Sequence, residues 1–440
     1  MQSKMQINPC GNFVIAVHHV LCLTGLLGAT CLLTERLSGE ESWPRFRGFN
    51  GEGILADFQV SVPWSPSQVV AKIPLPGNGN GSPVIWNDFA YLLCADPDSA
   101  DRTLVAIDIR LGTIRWQKQF PSELHPLHKM SSYASSTPCV DESGVYVAWG
   151  APSHSMLKAF SHEGEELWSV DWGSLVTQHG FGTSPILVDD HVILFASQDA
   201  EELPSGVEPG EDRMLAYHKA TGAIAWERSL KTTRVCYGVP CVASYESKKI
   251  LFCASTGQGF FAIDPANGSE LWNVPKFQKR ICSSPILAGN WLIATEGSGG
   301  GGNILFAVGW KSPSSYANFA KKPTLEYQIQ RAACYVPTPI VEGDFLYAWA
   351  DNGVVSCFEL ATGKNRWSER IGGNFSGSPV ILAGNLMNVS ADGVLSVVKA
   401  SPSYTPIGRV DLQQSVRSTI AAISDRMLIR TDESLWVIGK

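Results

Sequence analysis

Ala-Ile-Asp-Pro-Ala-Asn-Gly-Ser-Glu-Leu-Trp, residues 262–272, recurs along this chain, and the recurrence decides the fold. Residues 106–116, Ala-Ile-Asp-Ile-Arg-Leu-Gly-Thr-Ile-Arg-Trp, share the layout, as do residues 216–226 and 357–367. The copy at 159–168 is one residue shorter. In each, an apolar run meets a turn containing Gly (Gly112, Gly164, Gly222, Gly268, Gly363), and a Trp follows four residues later (Trp116, Trp168, Trp226, Trp272, Trp367). Gly gives the positive φ that a tight hairpin needs. The Trp then sits on the returning strand, large enough to fill the gap between neighbouring sheets.

Working outward, eight units open with a small residue and a Pro before a β-branched run. They begin at Ser82-Pro83, Thr137-Pro138, Ser184-Pro185, Val239-Pro240, Ser284-Pro285, Thr338-Pro339, Ser378-Pro379 and Ser418-Thr419, the last without the Pro. The first residue of a strand is one of the few sheet positions that tolerate Pro. A polar turn, a second apolar run, a variable loop, the Ala-x-Asp run and the Trp strand complete each unit. Four short strands per repeat of about forty to fifty residues predict propeller blades. The fold expected is all-β: an eight-bladed propeller of four-stranded antiparallel blades over residues 69–440. The last unit has only three strands, so residues 69–75 are expected to supply its outer strand and remove the open edge. The Trp motif weakens in units five, seven and eight, and unit five carries an insertion at 309–323 before an outer strand at 325–329.

Composition agrees with one large core: 440 residues, 44% apolar, 14 Trp, 18 Phe and only 17% charged. A net charge of −7 gives no electrostatic case for a nucleic-acid partner. Of eleven Cys, Cys10, Cys22 and Cys31 fall in the first forty residues, and the rest are scattered without CxxC pairs. Zinc-ribbon and thioredoxin-like sites are thereby disfavoured, and buried small side chains are expected. Residues 1–40, with Lys4 ahead of an apolar run at 13–33, read as a signal peptide or an N-terminal membrane anchor, hence an exported protein, periplasmic or extracellular. Residues 41–68 read as an arm laid across the folded body.

The long loops at 95–102, 151–155, 197–213 and 296–303 all fall at one end of the blades, opposite the Gly–Trp hairpins. Loops gathered on one face of a rigid scaffold are where binding concentrates. The links before the first strands place Arg234, Arg280 and Arg331, with Cys236, Cys282 and Cys334, at the mouth of the central channel. Arg417, Tyr133, His179, Phe181, Tyr237, Tyr335 and Asn374 occupy comparable positions. Two readings stand. The mouth is a basic, aromatic-lined funnel for a small anionic or planar ligand, or these Arg bond backbone carbonyls between blades. The three Cys either approach for a soft metal or a disulfide, or mark a position that needs a small residue. His125-Pro-Leu-His128 reads as a loop, Asp96, Asp98 and Asp101 match a calcium loop only loosely, and Glu201, Glu202, Glu208, Glu211 and Asp212 read as a solvated flap. Residues 297–302 lack the Lys-Ser/Thr of a phosphate loop. No metal set and no nucleophile–base pair is expected, and catalytic residues stay unassigned.

The Ala-x-Asp-x-x-x-Gly-x-x-x-Trp layout at 106–116 and 262–272 resembles the tryptophan-docking repeat of the pyrroloquinoline-quinone (PQQ) propeller superfamily. The stretch Trp43-Pro-Arg-Phe-Arg-Gly48 with Asn50-Gly51 and Gly53 resembles the start of exported PQQ-like repeat proteins. The superfamily holds eight-bladed quinoprotein dehydrogenases, with PQQ and calcium on the axis. It also holds the non-enzymatic propeller lipoprotein of the outer-membrane β-barrel assembly machine. This chain lacks the adjacent Cys-Cys pair of the dehydrogenases and a calcium-ligating Glu/Asn/Asp set, and it is shorter. The resemblance therefore implies a non-catalytic binding or scaffolding propeller without cofactor, partnered by an envelope protein or a small ligand. A PQQ- and calcium-dependent alcohol or sugar oxidoreductase is its alternative.

Overall fold

The computed structural model describes residues 41–440 apart from 246–247 and 311–320. The leader and most of the blade-five insertion fall outside the described residues. Eight four-stranded antiparallel sheets follow one another in chain order, and two of them gain a fifth strand from the arm. Blade one shows the pattern, with strands Val84–Trp86, Phe89–Ala95, Arg102–Asp108 and Thr113–Phe120. Blade eight has Ala421–Ile423, Arg426–Arg430 and Ser434–Gly439 from the C-terminal end, and its outer strand is Val69–Pro74, paired from Val69↔Ile438 to Pro74↔Ser434. The ring is closed by mating the two ends of the described chain, as the missing edge required. Among the described residues no helix is long and apolar enough to cross a membrane.

At the perimeter, the docking rings of Trp116, Trp168 and Trp226, and the Tyr327 ring in blade five, lie on the Gly of the next blade's hairpin. A Cβ at Gly268 would meet the Trp226 ring at 2.6 Å, and Gly268 holds φ +73, so both the space and the backbone require glycine. The indole N–H groups of Trp116, Trp168, Trp226 and Trp367 donate to the carbonyls of His162, Lys219, Pro265 and Ser401 in the following blade. Blade five does the same with a phenol: Tyr327 donates to Leu360 O at 2.6 Å. In blade seven the docking position is Gly408, and Pro63 of the arm fills the gap, since a Cβ there would lie 2.8 Å from it. In blade eight Ala71 meets Gly112.

The unit openings are explained at the other edge of the blades. Ser or Thr at each opening accepts the N–H of the equivalent residue one blade earlier. The bonds run Ser82→Thr137 (2.9 Å), Thr137→Ser184 (2.9 Å), Val239→Ser284 (2.9 Å), Ser284→Thr338 (3.0 Å), Thr338→Ser378 (3.0 Å), Ser378→Thr419 (2.9 Å) and Thr419→Ser82 (3.0 Å). The belt joins every blade to the next except three to four, where Val239 has no hydroxyl.

The arm is not laid across the body; it enters the channel. Ser42–Trp43 pairs antiparallel with Val84–Trp86, and Ile54–Leu55 pairs parallel with Val380–Leu382. The chain thus comes in from the hairpin face, turns at the level of the belt and runs back. Arg45 donates to Pro240 O at 2.6 Å, and Arg47 to Pro339 O at 3.2 Å and Pro379 O at 3.3 Å. Asn50 exchanges both its amide bonds with Val242 of blade four. Arg47 is wholly buried, and Gly53 leaves it room, since a Cβ at Gly53 would sit 2.9 Å from the guanidinium.

The belt predicts opposite effects for two conservative changes. Thr338→Val strands the Ser284 N–H and lowers stability by about 1–3 kcal/mol, whereas Val239→Thr supplies the missing acceptor and raises it by about 0.5–1.5 kcal/mol. Unfolding midpoints of the two variants check this.

Candidate functional site

The mouth of the channel is set by carboxylates that close the second strands. Asp199 accepts the Gln178 N–H at 3.0 Å and the Val235 N–H at 2.9 Å. Glu296 accepts from Gln278 (2.5 Å) and Lys279 (2.9 Å), and Asp351 from Tyr335 (2.7 Å) and Val336 (2.9 Å). Each acid ties down the links beside it by accepting two of their backbone N–H groups. These positioning acids escaped the sequence reading. Their signal is an acid at the end of a second strand, in Ser197-Gln-Asp199, Thr295-Glu296 and Ala350-Asp351.

On those links stands one cluster. Arg280 donates from Nη1 to His179 Nε2 at 3.1 Å and lies 3.7 Å from the buried Asp199 Oδ1 through Nη2. Tyr237, Tyr335 and Cys282 adjoin it electrostatically. His128 stacks on His179 with centroids 5.3 Å apart. Burial and the Arg280 cation hold the His179 imidazole below its ordinary pKa, so the neutral ring accepts from Arg280, and its Nδ1 finds no partner among the described residues. Tyr335 also lines a cleft of ≈ 440 Å³ with Ser298, Gly301, Asn303, Asp351 and Asn352, between blades five and six. The arrangement offers a cation, an imidazole and two phenols, which suits hydrogen bonding to a carboxylate or a planar polar group.

Other expected mouth residues go elsewhere. Arg234 pairs with Glu202 at 2.5 Å, and Glu201 lies 4.0 Å away, so it neither bonds a carbonyl between blades nor joins Arg280. Arg331 is exposed, and Arg417 donates to the Met130 sulfur at 3.2 Å. Tyr133 donates to His125 O at 2.8 Å with Arg102 over its ring. Phe181 does not line the mouth: it is buried against Trp172, since an apolar ring gains more from the core than from a wet surface. Asn374 is exposed and accepts the Ala391 N–H through its carbonyl. His125 turns back to Pro126 O rather than converging with His128 on an ion.

The eight described cysteines are free, and burial raises the pKa of Cys236, Cys282 and Cys334. Asp96 caps its own loop by accepting the Asp98 and Ser99 N–H groups. Asp212 corrects the flap reading. It is buried, accepts from Gln198 N–H at 2.6 Å and Ser197 O–H at 3.1 Å, and desolvation pushes its pKa up to about 7.

The family model described as outer membrane protein assembly factor BamB matches residues 72–298 and 307–402. Among solved structures, BamB from Moraxella catarrhalis is 16% identical with a TM-score of 0.58, covering 84% of this chain and 97% of its own. A europium-containing methanol dehydrogenase is 10% identical with a TM-score of 0.66, covering 91% and 98%. The quinohemoprotein alcohol dehydrogenase from Comamonas testosteroni is 11% identical with a TM-score of 0.63, covering 91% and 80%. At these identities the likeness is one of fold. No curated protein matches the sequence.

Asp212 gives the mouth a pH signature. A carboxyl whose pKa rises on folding keeps its proton in the native state after the unfolded chain has lost it. Stability therefore falls as pH climbs from the ordinary value of 3.8 to about 7, and levels off above. Asp212→Asn, which keeps an acceptor oxygen, is expected to flatten that decline in melting temperature; an unchanged slope would assign it elsewhere.

Proposed function

Because the chain belongs to the PQQ-like propeller family described as outer membrane protein assembly factor BamB, we propose that it is a non-catalytic binding or scaffolding propeller of the exported cell envelope. Its docking surface is the long-loop face. Residues 1–40 serve as the export signal or membrane tether in this reading. The observation that carries it is the filled axis. The arm turns inside the channel, and Arg45 and Arg47 are bound to carbonyls of blades four, six and seven. What stays open is a shallow polar mouth around Arg280, His179, Tyr237 and Tyr335. Leu124, Met130, Val207 and Val336 are exposed on the loops and links of the same face, which suits a protein partner. Arg280 would receive a carboxylate of that partner or of a small anionic ligand.

A PQQ-dependent oxidoreductase is the second reading. One observation favours it: Arg280 beside two phenols is a cation that an acidic planar cofactor could pair with. The calcium half of that cofactor has less to hold it. Asp199, Glu296 and Asp351 spend oxygens on backbone N–H groups, where a calcium ion would need six to eight oxygen ligands of its own.

Two measurements separate the readings. Photocrosslinkers placed at Val336 and Val207 are expected to capture an envelope protein in the native cell, and one at Leu111 on the hairpin face is not. Arg280→Lys, which keeps a cation beside the buried Asp199 but loses the guanidinium fork, should weaken the capture without lowering the melting temperature. Purified protein given PQQ and calcium should show no shifted quinone spectrum and no dye reduction. A shifted spectrum with turnover would establish the oxidoreductase instead.

A further inference from the structure

The hairpin face carries a side-chain cluster that the mouth does not use. His191 opens the second strand of blade three, His191–Ala196, and His218 closes the third, Arg213–His218. They are direct partners across the antiparallel ladder, so both side chains leave the same side of the sheet. Their imidazoles lie 5.2 Å apart at 44°. Asp190, in the turn just before His191, puts one carboxylate oxygen 3.7 Å from His191 Nδ1 and the other 3.9 Å from His218 Nδ1. The Lys219 N–H holds that turn in place by donating to Asp190 O at 2.7 Å.

We propose that Asp190, His191 and His218 bind a divalent transition ion of the zinc class. One ligand atom from each of the three lies within 4.8 Å of the others. A tetrahedral zinc site, with bonds of about 2.0–2.2 Å, asks for ligand separations of about 3.4 Å. One carboxylate oxygen already comes within half an ångström of that from His191 Nδ1 and the other from His218 Nδ1, and Asp190, its side chain 75% exposed, is free to turn a single oxygen between them. The remaining imidazole-to-imidazole gap closes by rotation of His218, whose side chain is 48% exposed. Two imidazoles and one carboxylate favour zinc, nickel or copper over calcium or magnesium, which prefer all-oxygen shells.

The surrounding charge permits a cation. Of the two nearby lysines, Lys249 is held by Asp189 at 2.6 Å and Lys219 by Asp141 at 2.6 Å. Three protein ligands leave the fourth position facing solvent, for water or for a carboxylate or imidazole of a second protein. The ion would clip the first turn of blade three to its second and third strands. Nothing in the sequence order announces the site, because the ladder register alone brings His191 and His218 together.

Calorimetric titration of Zn²⁺ into the full reduced chain tests the assignment by difference, since His18, His19 and the leader cysteines can take up zinc as well. His218→Ala and His191→Ala are expected to lose one zinc equivalent that the wild type binds. Asp190→Asn should weaken that equivalent by more than the about 10–100-fold that loss of an outer-shell partner costs. His154→Ala, which removes an exposed imidazole paired with Asp171 on the long-loop side, should change nothing. Circular dichroism of each variant shows that the blades persist. Unchanged zinc stoichiometry in His218→Ala, or equal loss in His154→Ala, would overturn the site.

Discussion

The hydroxyl-to-amide belt around the channel is the constraint on which the other contacts depend. A propeller must bring its last sheet back to its first with no angular error left over, and this chain repeats one short bond at nearly every junction. Ser or Thr is needed because only a small hydroxyl can accept a neighbouring backbone N–H so close to the axis. The following Pro, where present, spares the strand a donor it could not satisfy there. Indoles then set the spacing at the rim, and the bond from Thr419 to Ser82 joins blade eight to blade one where Val69–Pro74 seals the outer edge. Inner belt and outer wedges work at opposite ends of the same lever, so small local bonds fix the curvature of the whole ring.

A closed ring leaves an axis to be filled, and here the protein fills it with its own backbone. Carbonyls of Pro240, Pro339 and Pro379 point into the channel, and two guanidiniums collect them. Burying Arg45 and Arg47 is costly and lowers the pKa of both; that cost is offset by carbonyl bonds that water could not otherwise provide. The same arm then continues to the rim, where Pro63 occupies the docking position that Gly408 leaves empty. One segment therefore plugs the hub, wedges blades seven and eight apart and supplies the closing strand. With the hub occupied, the open end of the channel is the outer mouth, where Arg280 and His179 stand on links fixed by Asp199.

Much of this was legible in the residues. Gly-x-x-x-Trp spacing revealed the blades, the eight unit openings gave their count, and the missing outer strand of blade eight pointed to residues 69–75, because these follow from local hydrophobic period and from edge pairing. The role of the opening Ser and Thr was not legible, since their partners sit one whole repeat away. The arm was misplaced for a related reason: Trp43-Pro-Arg-Phe-Arg-Gly48 carries no period, and only the direction of its strand pairing shows that it enters the hub. At the mouth, Arg280, His179, Tyr237 and Tyr335 come together. Arg234 was drawn off by Glu202, and Phe181 by the core, because loop conformation and not repeat position decides where a link side chain turns. Asp212 lay within a run of acids whose exposure is uniform in sequence and not in space.

The functional account rests on the arm being a permanent part of the ring. Amide hydrogen exchange of residues 42–55 in the folded chain measures this most directly. The account predicts protection close to that of the first strands Val84–Trp86 and Val380–Leu382, whose backbone the arm shares. Exchange of those arm amides within seconds, while the first strands stay protected, would contradict it and reopen the axis to a ligand.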